Sequence, residues 1–163
     1  MTKIEKAIKY ARAQLSRLSP YVWGGQGEKL SKLTVLKLCA EDTADNAARV
    51  IKFIYKNKGK ATKASKIYDC SGFVICCLLY SGLGGLPKGY DDTANGLMNH
   101  FKIAISPAAR KPGDLVFKVK NGHAYHVGIM IDADTVAEAK GRDYGVVATP
   151  WNINDWQEVR RPV

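Results

Sequence analysis

The stretch Tyr68-Asp69-Cys70-Ser71-Gly72-Phe73 opens an apolar run from Val74 to Tyr80, and His126-Val127-Gly128-Ile129 follows well downstream. That order suits a cysteine hydrolase. A thiol at a helix start faces the positive end of the macrodipole, which favours thiolate. An imidazole on a strand can be held rigidly against the sulfur as its base. Asp69 is placed to cap the helix that Cys70 begins, and Gly72 is expected to leave space beside the sulfur for a substrate carbonyl. The first free amides of that helix are candidates to hold an oxyanion.

Working outward, the helix is expected to run from Cys70 to Tyr80 and to end in Ser81-Gly82-Leu83-Gly84-Gly85. Upstream, Thr2-Lys3-Ile4-Glu5 reads as a capping box. Ile4, Ala7, Ile8, Ala11, Leu15 and Leu18 continue at helical spacing until Pro20. Tyr21 to Glu28 reads as a glycine-containing turn. Residues 31 to 58 read as helical, with Ala47, Val50, Ile51 and Ile54 as one stripe and the basic loop Lys56-Asn57-Lys58-Gly59-Lys60 closing it. A short helix is expected near Thr93 to Phe101.

From Lys111-Pro112-Gly113-Asp114 onward the period changes to two. Expected strands are Leu115 to Val119, Tyr125 to Ile131, Thr135 to Lys140, Gly145 to Thr149 and Gln157 to Arg161. Helices first and an antiparallel meander after them give an α+β domain. Val127, Ile129 and Ile131 share the core face, so His126 points the other way together with Gly128. The turn Asp132-Ala133-Asp134 folds residues near 138 to 140 back opposite His126, and there Glu138 can accept the imidazole N–H. Of the other histidines, His123 reads as a solvated turn residue and His100 as a helix end.

The chain has 163 residues, 46% of them hydrophobic, which is enough for one domain with a real core. No apolar run approaches the roughly 20 residues of a membrane span, and the N-terminus shows no export leader. The protein is therefore expected to be cytoplasmic as made and to lack membrane insertion. Four cysteines occur without a CxxC pair, so no metal site is expected, and Cys39, Cys76 and Cys77 read as buried small hydrophobes.

The formal net charge is +10, and residues 29 to 66 supply +7 of it, with ten Lys or Arg against three acids. A basic face suits a polyanionic partner. No RNA-binding signature or basic-aromatic stacking pattern accompanies it, so specific nucleic-acid recognition is not expected.

With these residues assembled, the chain resembles the NlpC-type cell-wall cysteine peptidases, papain-like hydrolases of bacterial peptidoglycan. The matching blocks are Pro20-Tyr21-Val22-Trp23-Gly24-Gly25, the Tyr68 to Val74 block, Pro112-Gly113-Asp114-Leu115-Val116-Phe117 and His126-Val127-Gly128-Ile129-Met130-Ile131. They stand in family order. The resemblance implies a papain-like fold, with N-terminal helices packed on a C-terminal antiparallel sheet of about five strands, in a single domain over residues 1 to 163. It implies Cys70 as nucleophile, His126 as base and Tyr21 as a hydroxyl assisting the oxyanion, with Asp69, Ser71, Gly72 and Trp23 around them on the substrate side.

The implied reaction cleaves a stem-peptide amide after D-glutamate and before the diamino acid, with no cofactor. The implied partners are peptidoglycan and anionic wall polymers, met by a monomer after release from the cell. An amidase cutting between muramic acid and L-alanine is an alternative, as is a non-catalytic wall-binding module. Two features depart from the family pattern. Glu138, in Val136-Ala137-Glu138-Ala139-Lys140-Gly141-Arg142, stands where a histidine is frequent, in wording similar to bacteriophage endolysins. The basic segment at about 29 to 66 replaces what is elsewhere a short loop.

Overall fold

The computed structural model describes residues 1–41, 43–57 and 65–163, and within that range the side chains of Val35 and Lys37 are excepted. Helix α1 (Lys3–Ser16) starts with the expected capping box, Thr2 and Glu5 each accepting from the other's backbone N–H. It stops short of Pro20. The Ser19 N–H reaches back to the Gln14 carbonyl, and Leu18 takes φ 48°, so Leu18 does not continue the helix. The buried line is Ala7, Ala11 and Gln14, with Ile4 left exposed. Alanine faces the core at 7 and 11, where α1 lies close against the central helix, and the buried Gln14 side chain accepts from the Ser19 hydroxyl.

That central helix is α4 (Cys70–Ser81), and it is apolar nearly all round because it is buried nearly all round. Phe73, Val74, Cys77 and Leu78 are inaccessible. Asp69 caps its start, and Gly82 at φ 70° closes its end, a backbone conformation that glycine adopts without steric cost. A short helix α5 (Ala94–His100), capped by Thr93, follows where the spacing placed one.

Five strands then form one antiparallel sheet: β3 (Leu115–Lys120), β4 (His123–Met130), β5 (Thr135–Gly141), β6 (Gly145–Pro150) and β7 (Glu158–Arg160). The order is β6-β5-β4-β3-β7, a meander whose last strand returns to the edge of β3. One face carries Phe117, Val127, Ile129 and Ile131 into the main core with α1, α4 and α5. The other face holds a smaller core of Val116, Met130, Val136, Trp156 and Val159.

Two strands were not anticipated. β1 (Gln26–Lys29) pairs antiparallel with β2 (Lys66–Tyr68), from Gln26 against Tyr68 to Lys29 against Lys66. This ribbon forms the base of the basic segment and holds the Tyr21 turn beside the start of α4. Within the segment lie α2 (Val35–Cys39) and α3 (Ala44–Lys56) in place of one continuous helical stretch. The buried residues of α3 are Val50 and Phe53, whereas Ile51, expected in the apolar stripe, is 53% exposed. Lys58, Gly59 and Lys60 of the expected basic loop lie outside the described residues.

Candidate active site

Cys70 is the first residue of α4, and its neighbours lock the turn that precedes it. Asp69 accepts from the Gly72 N–H at 2.7 Å, from the Gly24 N–H at 3.1 Å and from the Ser71 hydroxyl at 3.3 Å. A single carboxylate thus caps the helix and grips the loop carrying Tyr21 and Trp23. Gly72 has a different reason from the one expected. A Cβ there would collide with the Gly25 carbonyl and crowd Asp69 and Gln26, so this glycine admits the Tyr21–Gln26 turn rather than a substrate. With the Gly72 N–H committed to Asp69, the Cys70 and Ser71 amides are the helix-start donors nearest the sulfur.

The electrostatics of the thiol also correct the first expectation. Burial pushes Cys70 up to about 11, and the Asp69 carboxylate adds to the rise. The N–H groups of Val127, Ser71 and Cys70 itself pull the other way and lose. Desolvation outweighs the helix start, so the resting group is a thiol. The action of the Val127 N–H places Cys70 against β4 next to His126.

His126 owes its direction to a bulge. Lys118 pairs with His126 but Val119 pairs with Ala124, so Tyr125 is an extra residue in β4. The bulge shifts the alternation, and Ala124 reaches the same core as Val127 although three positions separate them. The His126 Nε2–H donates to Glu138 Oε2 at 2.6 Å, and the Thr149 hydroxyl donates to Glu138 Oε1 at 2.7 Å. Burial alone would raise Glu138, but hydrogen bonds from His126 and Thr149 and the charges of His126 and Lys118 hold it below the ordinary carboxylate range.

Beneath the imidazole lies Trp156, ring centroids 5.7 Å apart and nearly stacked. A Cβ on Gly128 would come within 2.5 Å of Val136 and 3.2 Å of the Trp156 ring, so Gly128 makes room for this support.

Cys70 and His126 line one groove of about 590 Å³. Tyr21, Trp23, Asp69 and Ser71 line it too, and Gly72 does not. Tyr21 is buried, which raises its hydroxyl pKa, and the charges of Cys70 and Asp69 raise it further. The structure therefore brings together every expected site residue except Gly72, which lies behind the groove wall.

Several groove features escaped the sequence reading. His123, taken for a solvated turn residue, opens β4 and lines the groove, as do Asp91, Asp92 and Arg142. Thr149 was findable, since Glu138 pairs with Val147 and Thr149 lies two residues on, on the same face. Trp156 and Glu41 reach the site through tertiary packing and gave no local signal. Cys39 is exposed rather than buried; Cys77 is buried, and Cys76 is half-buried with its thiol directed at the Gln26 carbonyl.

A thiol at a helix start, an imidazole on the facing strand and a carboxylate behind it define, on this fold, a papain-like cysteine peptidase. The family model described as the NlpC/P60 family matches residues 18–161, and the chain belongs to that family. Similar solved structures include the P60 domain of antigen MAP1204 from M. avium subspecies paratuberculosis. It is 19% identical with a TM-score of 0.62, over 99% of this chain and 95% of that one. The NlpC/p60 domain of the peptidoglycan hydrolase SagA is 18% identical at 0.59, over 96% and 97%. The peptidoglycan hydrolase RipB from Mycobacterium tuberculosis is 22% identical at 0.63, over 99% of this chain and 65% of that one. At these identities the likeness speaks for the fold. Among curated proteins no sequence match is found.

Proposed function

We propose that this protein is a peptidoglycan hydrolase that cuts an amide in the wall stem peptide, after D-glutamate and before the diamino acid. The observation that carries the reading is the Thr149–Glu138–His126 chain of hydrogen bonds ending in the groove that Cys70 lines. Family membership supports the cell-wall substrate, and the position of the bond rests on resemblance.

Because Glu138 takes Nε2, the other ring nitrogen of His126 is the one to receive the Cys70 proton. The sulfur then attacks the amide carbonyl, and the carbonyl π electrons move onto oxygen. The helix-start amides and the Tyr21 hydroxyl hold that oxyanion. Glu138 stabilises the imidazolium. Collapse expels the amine, which takes its proton from His126 and leaves a thioester. Water, deprotonated by His126, releases the acid and restores the thiol.

Digestion of purified peptidoglycan, with the new ends read by mass spectrometry, tests the reading. New D-glutamyl carboxyl and diamino-acid amino ends are expected. New L-alanine amino ends would assign the amidase reaction instead, and no new ends would leave a wall-binding module. The exposed cations Lys52 and Lys56 of α3, on the basic segment, support attraction to anionic wall polymers as part of the same proposal.

A further inference from the structure

The basic segment does more than carry charge, because one of its residues reaches the wall of the groove. Glu41, between α2 and α3, has a side chain with no solvent exposure. Its Oε1 accepts from the Trp23 N–H at 2.6 Å. Its Oε2 accepts from Arg142 Nε at 2.8 Å and lies 2.6 Å from Nη2. The Arg142 guanidinium sits 5.3 Å from the centre of the Tyr21 ring and 6.0 Å from that of Trp23.

The consecutive amides of Trp23 and Gly24 thus each meet a carboxylate. Trp23 is held by Glu41 of the inserted segment, and Gly24 by Asp69 of the nucleophile's own helix cap. The loop carrying Tyr21 is pinned on both sides. The arrangement has the character of a clamp.

We propose that Glu41 is a positioning residue for the reaction. Through Arg142 and the Trp23 amide, the inserted segment fixes the Tyr21 hydroxyl where the oxyanion forms. This rests on the hydrolase reading above. A buried carboxylate that only held the fold together would act on stability and leave the chemistry of properly folded molecules untouched. A clamp acting through Tyr21 must lose its effect on turnover when the Tyr21 hydroxyl is gone.

The test is a double-mutant cycle of Glu41→Gln and Tyr21→Phe, measured as kcat and KM on a soluble stem peptide. Glu41→Gln keeps the shape and an acceptor for Trp23 while removing the charge that holds Arg142. It is expected to lower kcat by about tenfold to a hundredfold with little change in KM, the scale of a misplaced catalytic group. In the Tyr21→Phe background the same change is expected to cost less than about threefold. Equal losses in both backgrounds, or parental kcat in Glu41→Gln, would overturn the proposal.

Should Glu41→Gln fold poorly, Glu41→Gln with Arg142→Gln removes the unpaired buried charge. That pair is expected to regain thermal stability without regaining kcat, and recovery of both overturns the clamp. If the parent itself cuts no stem peptide, the hydrolase reading fails separately. The clamp is then read from hydrogen exchange. Glu41→Ala must speed exchange at the Trp23 and Gly24 amides more than at the core amides of α4, which report global unfolding, and an equal change at both overturns it.

Discussion

Two opposed effects meet at Cys70, and their balance sets how the site must work. Helix-start amides favour thiolate, yet burial and Asp69 dominate and push the group up to about 11. The thiol stays protonated at neutral pH and depends on His126 to become a nucleophile. Cys70→Ala is therefore expected to abolish wall hydrolysis with the fold intact. In native protein, iodoacetamide is expected to modify Cys70 faster than Cys77, which is sealed in the core, and His126→Ala to slow the Cys70 reaction. Peptide mapping of labelled protein checks this, with Cys39 replaced because it is exposed. Equal labelling of Cys70 and Cys77 would sink the assignment. At Glu138 the sign is the reverse. Its carboxyl is held below the ordinary range, so its contribution to stability is complete above that range and is lost as pH falls through the lowered value. Glu138→Gln is expected to cut turnover by about 10²- to 10⁴-fold and to flatten the loss of stability on the acid side, read from unfolding midpoints against pH. Normal turnover in Glu138→Ala would move the orienting role elsewhere. Both residues were legible in the sequence as residue types on elements. The thiol's ionisation was not, because desolvation depends on what packs over the sulfur.

Strand β4 shows why periodicity found the elements and missed a detail that matters. Alternation from Val127 to Ile131 assigned the core face correctly, and the strand positions agree with the structure to within a residue or two. The Tyr125 bulge breaks that alternation one residue before His126, and a bulge has no side-chain pattern of its own. The β1–β2 ribbon was missed for a related reason. Its strands are short, far apart in sequence and separated by the inserted segment, so no hairpin turn announces them. Gly128 was read only as sharing the face of His126, and the structure gives it a harder constraint. Gly128→Ala puts a methyl against Val136 and the Trp156 ring, which must then move away from His126. Overpacking of this kind costs about 1–3 kcal/mol. The expected result is a lower thermal midpoint, altered Trp156 fluorescence and reduced kcat. Parental fluorescence with parental kcat would show that Trp156 does not support the imidazole.

On the scale of the molecule, the charge is distributed unevenly enough to have a function of its own. Of the net +10, the segment from 29 to 66 supplies +7, while the groove beside it mixes Asp91 and Asp92 with Lys140 and Arg142. On the proposed reading, attraction to a polyanionic wall is therefore expected to come mostly from outside the groove. At about 0.15 M salt such a field is cut off beyond roughly 8 Å, whereas contacts inside the groove are screened much less. Wall binding is expected to weaken steeply with salt, and cleavage of a small soluble stem peptide to respond little. Lys52→Glu with Lys56→Glu reverses two exposed charges on α3, well removed in the sequence from Glu41 and from the residues lining the groove. The pair is expected to reduce sedimentation with purified walls at low salt and to leave kcat/KM on the soluble peptide nearly unchanged. The competing account makes α3 a packed lid with a solvated outer face, and Val50 and Phe53 do pack inward. A lid would not register the sign of charges on its outer side. Undiminished wall binding by the double-Glu protein at low salt decides for the lid, and a drop confined to wall binding decides for electrostatic capture.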